Sequence, residues 1–550
     1  MSALSRSSAF VMAAAIATGI AIGGWAWLGR SVDIVDVPGG RFECLSYSPA
    51  TERSSPLTAV DGIFAVPAGQ IAADLAALSR YTSCVRTYSM LGAQGDVMAL
   101  AEAAGMEVLV GIWIGGDDER NAVEIERSLA LAHAHRGAVR AIVVGNEVLL
   151  RREMTGERLA EIIRSVKAQT DLPVTYADIF EFWRRNPVVA EAVDIVTIHV
   201  LPYWDDPAPV GIDAVQAHVR GIVDRARATF PGKPMQIGEI GWPSAGRTRA
   251  EAAPTLVNEA RFVREFAAQA TAIGLPYNLI EGIDQSWKRV PEGTVGGYWG
   301  ILDTARNAKF PLAGPVSEWP DWPRAAGVTA AVAAAILLLF AWRMPVMPFG
   351  RMPLIGAVAA LGTMNLWLLV AYLQLISIGW AGVVWAVVLT GFAILGGFLL
   401  LVQIAGITLP PPVALAALPG ALRSRQVSAA AWLGLLQGSV MLSAAVVALS
   451  LAVDGRHRDF LYLAFGLPAL AFALIKWRTR GAAGSAARSA EGAVALILIG
   501  AAPFSVDAPG NYEALVWAAT CWLLASPWAG DAWSLLRGEY RAVSAAMRGR

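Results

Sequence analysis

Two glutamates in the first half of the chain stand at the ends of apolar runs. Glu147 closes the run AIVVGNE at 141–147, and Glu239 closes the run PMQIGE at 234–239. A carboxylate at the end of a buried strand must find partners or lose its charge, so the position is costly unless the group has a task. A salt-bridged strand end would explain either glutamate alone, but it explains the matching pair poorly.

A pair of carboxyl groups can cleave a glycosidic bond. When the groups are about 5 to 5.5 Å apart, one protonates the departing oxygen while the other attacks the anomeric carbon, and the configuration is retained. Asn146, directly before Glu147, can hydrogen-bond a sugar 2-hydroxyl, a contact that strengthens toward the transition state. These residues predict a retaining glycosidase or transglycosylase.

Eight repeats of a short β-prone run, a turn and a helical stretch would position this pair. The predicted strands are 42–48, 84–89, 107–113, 141–148, 174–179, 194–201, 234–240 and 277–284. Such alternation indicates a parallel sheet, and eight units favour an α/β fold of the (β/α)8 TIM barrel type. A doubly wound open sheet is the alternative, but no glycine-rich phosphate fingerprint follows the first strand. In a barrel, strands four and seven would bring both glutamates to the mouth.

Six short stretches in this region resemble family 17 of the glycoside hydrolases, barrels that act on β-1,3-glucans. They are VRTY at 85–88, GNE at 145–147, LPYW at 201–204, GEIGWPS at 238–244, EGIDQSWK at 281–288 and YWGI at 298–301. The resemblance implies Glu147 as acid/base and Glu239 as nucleophile, with Arg86 and Tyr203 supporting the nucleophile. It also implies that Trp287 and Lys288 line the sugar sites. The substrate-binding positions that we expect in all are Arg86, Tyr88, Asn146, Tyr203, Trp204, Trp242, Glu281, Gln285, Trp287 and Lys288.

Two residues depart from the family pattern. Gln285 stands where many relatives have a second glutamate, and Gln236 interrupts the aliphatic run before the nucleophile. The first departure affects the sugar subsites and leaves the catalytic pair in place.

Aromatic residues gather at the predicted strand ends, where flat rings can stack on sugar faces. They are Trp113, Trp183, Tyr203, Trp204, Trp242, Trp287, Tyr298 and Trp299. Packing of the barrel rim is the alternative role, above all for Trp242 and Trp299. His199 is expected to be a hydrogen-bonded barrel histidine, and no metal or cofactor is expected. Cys44 and Cys84 form either a disulfide or two buried thiols on neighbouring strands.

The composition indicates a membrane protein, with 55% hydrophobic and 16% charged residues. We expect an N-terminal transmembrane anchor at 1–32, a catalytic barrel at 33–322 and an all-α membrane domain of about seven helices at 323–550. An uncharged run at 10–28 is long enough to span a bilayer and lacks a small-residue cleavage pattern, which favours an uncleaved anchor over a signal peptide. The balance of 44 basic and 44 acidic residues gives no indication of nucleic-acid binding.

Basic residues gather in alternate short loops between the predicted spans, as the positive-inside rule requires. One side holds Arg6, Arg343, Arg351, Arg423, Arg425, Lys476, Arg478, Arg480, Arg488, Arg537, Arg541, Arg548 and Arg550. The opposite short loops hold Arg456 and Arg458. The pattern predicts a multi-pass inner-membrane protein with both termini cytoplasmic and a periplasmic catalytic domain.

An exported and anchored barrel resembles the membrane-bound proteins of rhizobia and other proteobacteria that help to make β-1,3/1,6-glucans. This resemblance favours a transglycosylase that elongates or branches β-1,3-glucan chains over a β-1,3-glucan hydrolase. A non-catalytic membrane-bound sugar sensor is the third possibility. The expected partners are a β-glucan oligosaccharide or polysaccharide as donor and acceptor, the lipid bilayer, and a separate membrane glucan synthase.

Overall fold

The chain folds into two compact units. The computed structural model describes residues 3–60, 63–207, 209–344, 348, 350–423, 426–479 and 489–537. One unit is Ser31–Ser317, and the other combines residues 1–30 with residues 318–550.

The first unit is a closed barrel of eight parallel strands in sequence order. The strands are Leu45–Ser46, Cys84–Arg86, Glu107–Ile112, Val139–Asn146, Val174–Ile179, Ile195–Val200, Met235–Ile240 and Tyr277–Leu279. The first strand closes the barrel by pairing with the eighth, Leu45 opposite Leu279. Residues 141–145 of the fourth strand are all buried, because the sheet is covered on both faces. The predicted TIM barrel is confirmed.

Helices alternate with the barrel strands. They are Ala68–Leu78, Val97–Ala103, Asp118–Ala134, Gly156–Lys167, Phe180–Arg185, Pro187–Ala192, Val215–Thr229, Leu256–Ala272 and the short Arg289–Glu292. The helix Gly156–Lys167 shows why these segments are helical: Thr155 caps its first turn by accepting from the Arg158 N–H, and Leu159, Ile163 and Val166 form its buried face. Ser31–Val32 and Val316–Ser317 pair as a short antiparallel ribbon at the two ends of this unit.

The eighth strand is shorter than the 277–284 run predicted from the sequence. It ends at Leu279 because the next residues pair outside the sheet: the Glu281 N–H donates to the Trp299 carbonyl, and only the Gly282 N–H still reaches the first strand, at the Ser46 carbonyl. The chain at 281–288 is therefore a loop at the barrel mouth.

The barrel contains a disulfide and a group of buried polar side chains. Cys44 and Cys84 form a disulfide between the first two strands, which decides between the two expected states. Gln236 donates to Thr197 at 2.9 Å, and the hydroxyls of Thr197 and Thr175 lie 2.7 Å apart. These bonds explain how a glutamine is tolerated in the run before Glu239.

The second unit is all helical. Its longer helices are Ala3–Leu28, Trp322–Arg343, Arg351–Ile376, Gly379–Ile404, Ala429–Val453, Tyr462–Arg478, Ser489–Ala501 and Tyr512–Ala525. Among the described residues, five helices are long and apolar enough to cross a membrane: Ser8–Leu28, Trp322–Arg343, Arg351–Ile376, Gly379–Ile404 and Ala429–Val453.

Three of the eight predicted spans do not meet the same length criterion. The helix Ser489–Ala501 has 13 residues and Tyr512–Ala525 has 14, or about 20 Å of helix against a hydrocarbon core of about 30 Å. The third, Tyr462–Arg478, has 17 residues and contains Pro468. Of the basic residues that support the predicted topology, Arg425, Arg480, Arg488, Arg541, Arg548 and Arg550 lie outside the described residues.

Candidate active site

Glu147 lies at a sharp turn just past the fourth barrel strand. Its φ is +53°, and that of Gly145 is +88°. A left-handed conformation is uncommon for a residue with a side chain, and strained backbone of this kind clusters at functional sites. The Glu147 N–H donates to the Ala177 carbonyl at 2.8 Å, which fixes the turn to the fifth strand. The Glu147 side chain is 22% exposed.

Glu239, near the end of the seventh strand, is almost fully buried and strongly partnered. Nη1 of Arg86 lies 3.1 Å from its Oε1, and the Tyr88 hydroxyl lies 2.9 Å from the same oxygen. Burial alone would raise the pKa of Glu239. The nearby His199 ring, the positive charges of Arg86 and Lys288, and the Tyr88 hydroxyl outweigh it and hold the pKa below its usual value. Glu239 is therefore prepared as an anion.

His199 lies between the two glutamates. Its Nδ1 is 3.0 Å from Oε1 of Glu147 and 3.7 Å from Oε2 of Glu239. One ligand atom from each of the three residues lies within 4.8 Å of the others. A separation of this size fits the short spacing of retaining glycosidases, about 5 to 5.5 Å, and not the inverting spacing of about 6.5 to 9.5 Å.

Three such residues could also hold a metal ion, but the surroundings favour a different role. Arg86 already supplies a cation at 3.1 Å from Glu239. Its Nη1 also lies 3.4 Å from Nε2 of His199. A fixed guanidinium at this distance compensates the carboxylate charge that a metal would otherwise balance.

Asn146 is oriented by the same arginine. Nη2 of Arg86 donates to its Oδ1 at 2.6 Å. Since the oxygen is used in this way, the Nδ2 group is the donor that Asn146 can offer to a ligand beside Glu147. The sequence predicts Asn146 beside the reacting pair, whereas its contact with Arg86 is seen only in the fold.

A second charged cluster lies in the loop after the eighth strand. Nζ of Lys288 lies 3.0 and 3.1 Å from the two carboxylate oxygens of Glu281. Burial, opposed by Lys288, raises the pKa of Glu281 to about 7. Burial also raises the pKa of Glu292, where the charges of Glu239 and Glu147 add to the effect. Glu292 was not singled out from the sequence, since a glutamate in a short polar segment carries no pattern.

Trp287 and Gln285 form one assembly in this loop. Nε1 of Trp287 donates to Oε1 of Gln285 at 2.8 Å, and Nε2 of Gln285 donates to the Ser48 carbonyl at 3.1 Å. The buried glutamine therefore holds the half-buried indole in place. A glutamate at this position would have no N–H to donate to the Ser48 carbonyl. The glutamine that departs from the family pattern therefore links Trp287 to the backbone at Ser48.

Tyr203 does not take the expected place beside the nucleophile. Its hydroxyl donates to the Arg247 carbonyl at 2.7 Å, and the phenol on Glu239 is that of Tyr88. Tyr203 is instead the centre of an aromatic group, with ring centroids 5.0 Å from Trp204 and 6.1 Å from Trp299. Tyr88, which was expected to bind substrate, therefore contacts the nucleophile in place of Tyr203.

The aromatic residues predicted at the strand ends divide into half-buried rings and fully packed rings. Trp242 is fully buried, and its Nε1 donates to the Ala253 carbonyl, so it offers no face to a sugar. Trp183 is also fully buried, and Trp299 is 4% exposed. The half-buried rings at the strand ends are Trp113, Trp204, Trp287 and Tyr298.

Asp178 adds a buried carboxyl on the side of Glu147. It accepts from the Tyr176 hydroxyl and from the Ile179 N–H, the latter at 2.7 Å. Burial raises its pKa to about 6, against the Tyr176 hydrogen bond, while the charge of Glu147 adds to the rise. Asp178 was not selected from its sequence position, because it lies within a strand.

Comparison with known proteins agrees with this geometry. Residues 44–300 match the family described as BtgE/BtgC glycoside hydrolase domain. The barrel is therefore similar to glycoside hydrolase domains. The glucan 1,3-beta-glucosidase of Saccharomyces cerevisiae is 26% identical over 269 residues, covering 44% of this chain and 83% of the relative. The glucan 1,3-beta-glucosidase of Schizosaccharomyces pombe is 26% identical over 260 residues, covering 44% and 79%.

Among solved structures, a family 17 β-1,3-glucanosyltransferase from Rhizomucor miehei is 25% identical, with a TM-score of 0.43; the match covers 50% of this chain and 96% of that one. The predicted resemblance to a glycoside hydrolase family is confirmed by the family and sequence matches. The same matches confirm the prediction of an enzyme of the glycoside hydrolase or transglycosylase class.

Proposed function

We propose that the protein is a retaining transglycosylase that acts on β-1,3-glucan chains, with Glu239 as nucleophile and Glu147 as acid/base. The observation that carries the proposal is the close approach of the two carboxylates at the barrel mouth, where one oxygen of Glu147 lies within 4.8 Å of one oxygen of Glu239. The substrate class is supported by the names of the relatives, which are glucan 1,3-beta-glucosidases.

The different surroundings of the two glutamates support their roles. Glu239 is buried against Arg86 and Tyr88, an environment that favours a permanent anion and hence a nucleophile. Glu147 is more exposed and is paired with a ring that can donate one hydrogen bond, so it can gain and lose a proton.

The reaction follows from these positions in two displacements. In the first, a Glu239 oxygen attacks the anomeric carbon, the glycosidic bond breaks, and the Glu147 proton goes to the departing sugar oxygen. In the second, the Glu147 carboxylate takes the proton from an acceptor hydroxyl, whose oxygen attacks the anomeric carbon and releases Glu239. If water is the acceptor, the same steps give hydrolysis.

Binding of a second sugar would decide between transfer and hydrolysis. Trp204 and Trp287 are half-buried rings beyond those needed to hold one sugar, and they could hold an acceptor. About 3 kcal/mol of acceptor binding is enough to shift partition by about 10²-fold. Hydrolysis is the second candidate, because the curated relatives are named as glucosidases.

The remaining substrate-binding residues are assigned by their places around the pair. Arg86 and Tyr88 hold the nucleophile, Asn146 offers its Nδ2 to the sugar, and Lys288 with Glu281 borders the site. Gln285 acts through Trp287. Tyr203, Trp242 and Trp299 act through packing of the rim.

The protein would work at a membrane surface. We assign 1–32 as an anchor, 33–322 as the catalytic domain and 323–550 as the membrane domain, with the barrel on the periplasmic side of the inner membrane and both termini cytoplasmic. Five helices of sufficient length and apolarity support the membrane assignment. The disulfide between Cys44 and Cys84 supports an oxidising compartment for the barrel. Glucan biosynthesis beside a separate synthase is the role that this placement favours.

Product analysis tests the proposal. The full-length protein in detergent is incubated with a defined laminari-oligosaccharide at millimolar concentration, and the products are analysed by mass spectrometry and linkage analysis. Products longer than the donor are expected, and they would reveal whether a 1,3 or a 1,6 bond forms. A series of shorter sugars alone would make the enzyme a hydrolase, whereas the absence of any turnover would favour a sugar sensor. Glu239→Gln serves as the inactive control.

A further inference from the structure

We propose that His199 is a positioning residue whose Nδ1–H donates to Glu147 and stabilises that glutamate as a carboxylate between the two displacement steps. The inference rests on the proposed function of Glu147 as acid/base. His199 contacts both reacting carboxylates and is itself fully buried, with 0% of its side chain exposed.

The contacts of the ring determine where its proton lies. Nε2 faces Nη1 of Arg86 at 3.4 Å, and a guanidinium has only hydrogens to offer. A proton on Nε2 would point at those hydrogens, so Nε2 must be the acceptor. Nδ1, which lies 3.0 Å from Glu147 and 3.7 Å from Glu239, therefore carries the proton.

The ring has little freedom to leave this orientation. A Cβ added at Gly238 would lie 2.9 Å from Cδ2 and 3.0 Å from Nε2 of His199. Glycine is thus needed at 238 to admit the ring against the seventh strand, while Arg86 closes the Nε2 side. Nη1 of Arg86 also donates a hydrogen bond to the Gly238 carbonyl at 2.7 Å. The His199 ring, the seventh strand and the Arg86 guanidinium therefore hold one another in place.

This orientation favours one state of the acid/base more than the other. A carboxylate at Glu147 accepts the Nδ1–H in a charge-assisted bond, whereas a protonated Glu147 gains less from it. Loss of the Glu147 proton to the leaving oxygen therefore strengthens the contact. The charged and titratable groups that face or lie near His199 are Glu147, Glu239, Arg86 and Asp178, and the first three are bound in the contacts above.

The pH profile of a variant separates this role from packing. His199→Phe keeps a flat ring but has no donor, so the proton of the acid should be lost at a higher pH. We expect the alkaline limb of kcat/KM on laminari-oligosaccharides to move up by about one pH unit and kcat to fall by about 10- to 10²-fold. His199→Asn, whose amide can donate in place of Nδ1–H, should bring both values back toward those of the wild type.

Two results would overturn the inference. One is a His199→Phe enzyme with a normal melting temperature and an unmoved alkaline limb. The other is a wild-type His199 that carries its proton on Nε2. Nitrogen magnetic resonance of histidine-labelled full-length protein measures this, with the His199 signal assigned by its loss in His199→Asn. We expect the proton on Nδ1. This second measurement holds even if His199→Phe does not fold. Failure of the proposed function is seen separately, as near-normal turnover of Glu147→Gln.

Discussion

Nη1 of Arg86 lies 3.1 Å from Oε1 of Glu239, and the two side chains are 1% and 6% exposed. The other end of the guanidinium, Nη2, donates to Asn146 at 2.6 Å. One side chain from the second strand therefore fixes groups on the fourth and seventh strands. This arrangement ties the charge of the nucleophile to the orientation of the amide beside the acid/base.

Arg86→Lys should lower kcat/KM on laminari-oligosaccharides by about 10²-fold, or about 3 kcal/mol of barrier. A lysine keeps the charge but lacks the planar fork that reaches Glu239 and Asn146 together. Arg140→Lys is the matched control, since Arg140 bridges Glu43 and Glu107 away from the site, and it should leave kcat/KM unchanged. Equal activities in the two variants would show that the fork has no catalytic role.

Tyr88→Phe should move the acid limb of kcat/KM to higher pH. The Tyr88 hydroxyl stabilises the Glu239 carboxylate and helps to hold the pKa of Glu239 below its usual value, so its removal raises that pKa. The anionic nucleophile is then lost at a higher pH as the solution is acidified. Rates between pH 3 and pH 7 measure the shift, with Tyr81→Phe as the control. A lower rate with an unmoved limb would contradict this role for Tyr88.

Azide should distinguish the two glutamates. With an activated β-glucosyl donor that needs no protonation, Glu147→Ala should still form the glycosyl-enzyme and yield the β-azide. Glu239→Ala leaves space for azide to attack in place of the carboxylate and should yield the α-azide. The anomers are identified by magnetic resonance of the products, and Glu157→Ala, an exposed glutamate ten residues after Glu147, serves as the unaffected control. The same anomer from both variants would refute the assigned roles.

The sequence was most informative where a pattern repeats or a chemical group stands out. Alternating strand and helix segments predict the barrel, and carboxylates after apolar runs predict the positions of Glu147 and Glu239. The contacts of Tyr88 and Tyr203 could not be assigned in the same way, because both tyrosines follow strands and only the barrel geometry decides which hydroxyl reaches Glu239.

His199 and Asp178 show a second limit of the sequence. Both lie within apolar strands, where a polar residue is equally compatible with a buried hydrogen bond and with a role in the site. His199 contacts both carboxylates only because the sixth strand lies between the fourth and seventh at the barrel mouth. Conversely, Trp242 was expected at the sugar because it lies at a strand end, with rim packing as the alternative, and it is fully buried against Phe262.

Loss of the disulfide should destabilise the barrel. Cys44 and Cys84 are 40 residues apart in the sequence, and a loop of that size implies a contribution of about 3 to 4 kcal/mol to the free energy of unfolding. Cys44→Ser with Cys84→Ser should lower the melting temperature of the full-length protein in detergent, and a reductant should lower that of the wild type alike. Cys521→Ser, which removes a buried free thiol in the helical unit, should not change the response to reductant.

Trp287→Ala should lower the ratio of transfer to hydrolysis by about 10-fold, since loss of a stacking ring removes on the order of 1.5 kcal/mol of acceptor binding. The indole is half-buried and held by Gln285 at 2.8 Å, so it is a fixed surface beside the site. The ratio is measured by mass spectrometry of the products over a range of laminari-oligosaccharide concentrations.

The dependence of the transfer-to-hydrolysis ratio on acceptor concentration tests whether Trp287 binds the acceptor. Trp287→Phe keeps a flat ring and should retain most of the transfer, whereas Trp287→Ala should need a higher acceptor concentration to reach the same ratio. Trp342→Ala, an exposed tryptophan of the helical unit, should leave the ratio unchanged. If Trp287→Ala lowers transfer and hydrolysis equally at every concentration, the ring binds the donor sugar, and the acceptor must be held by other groups.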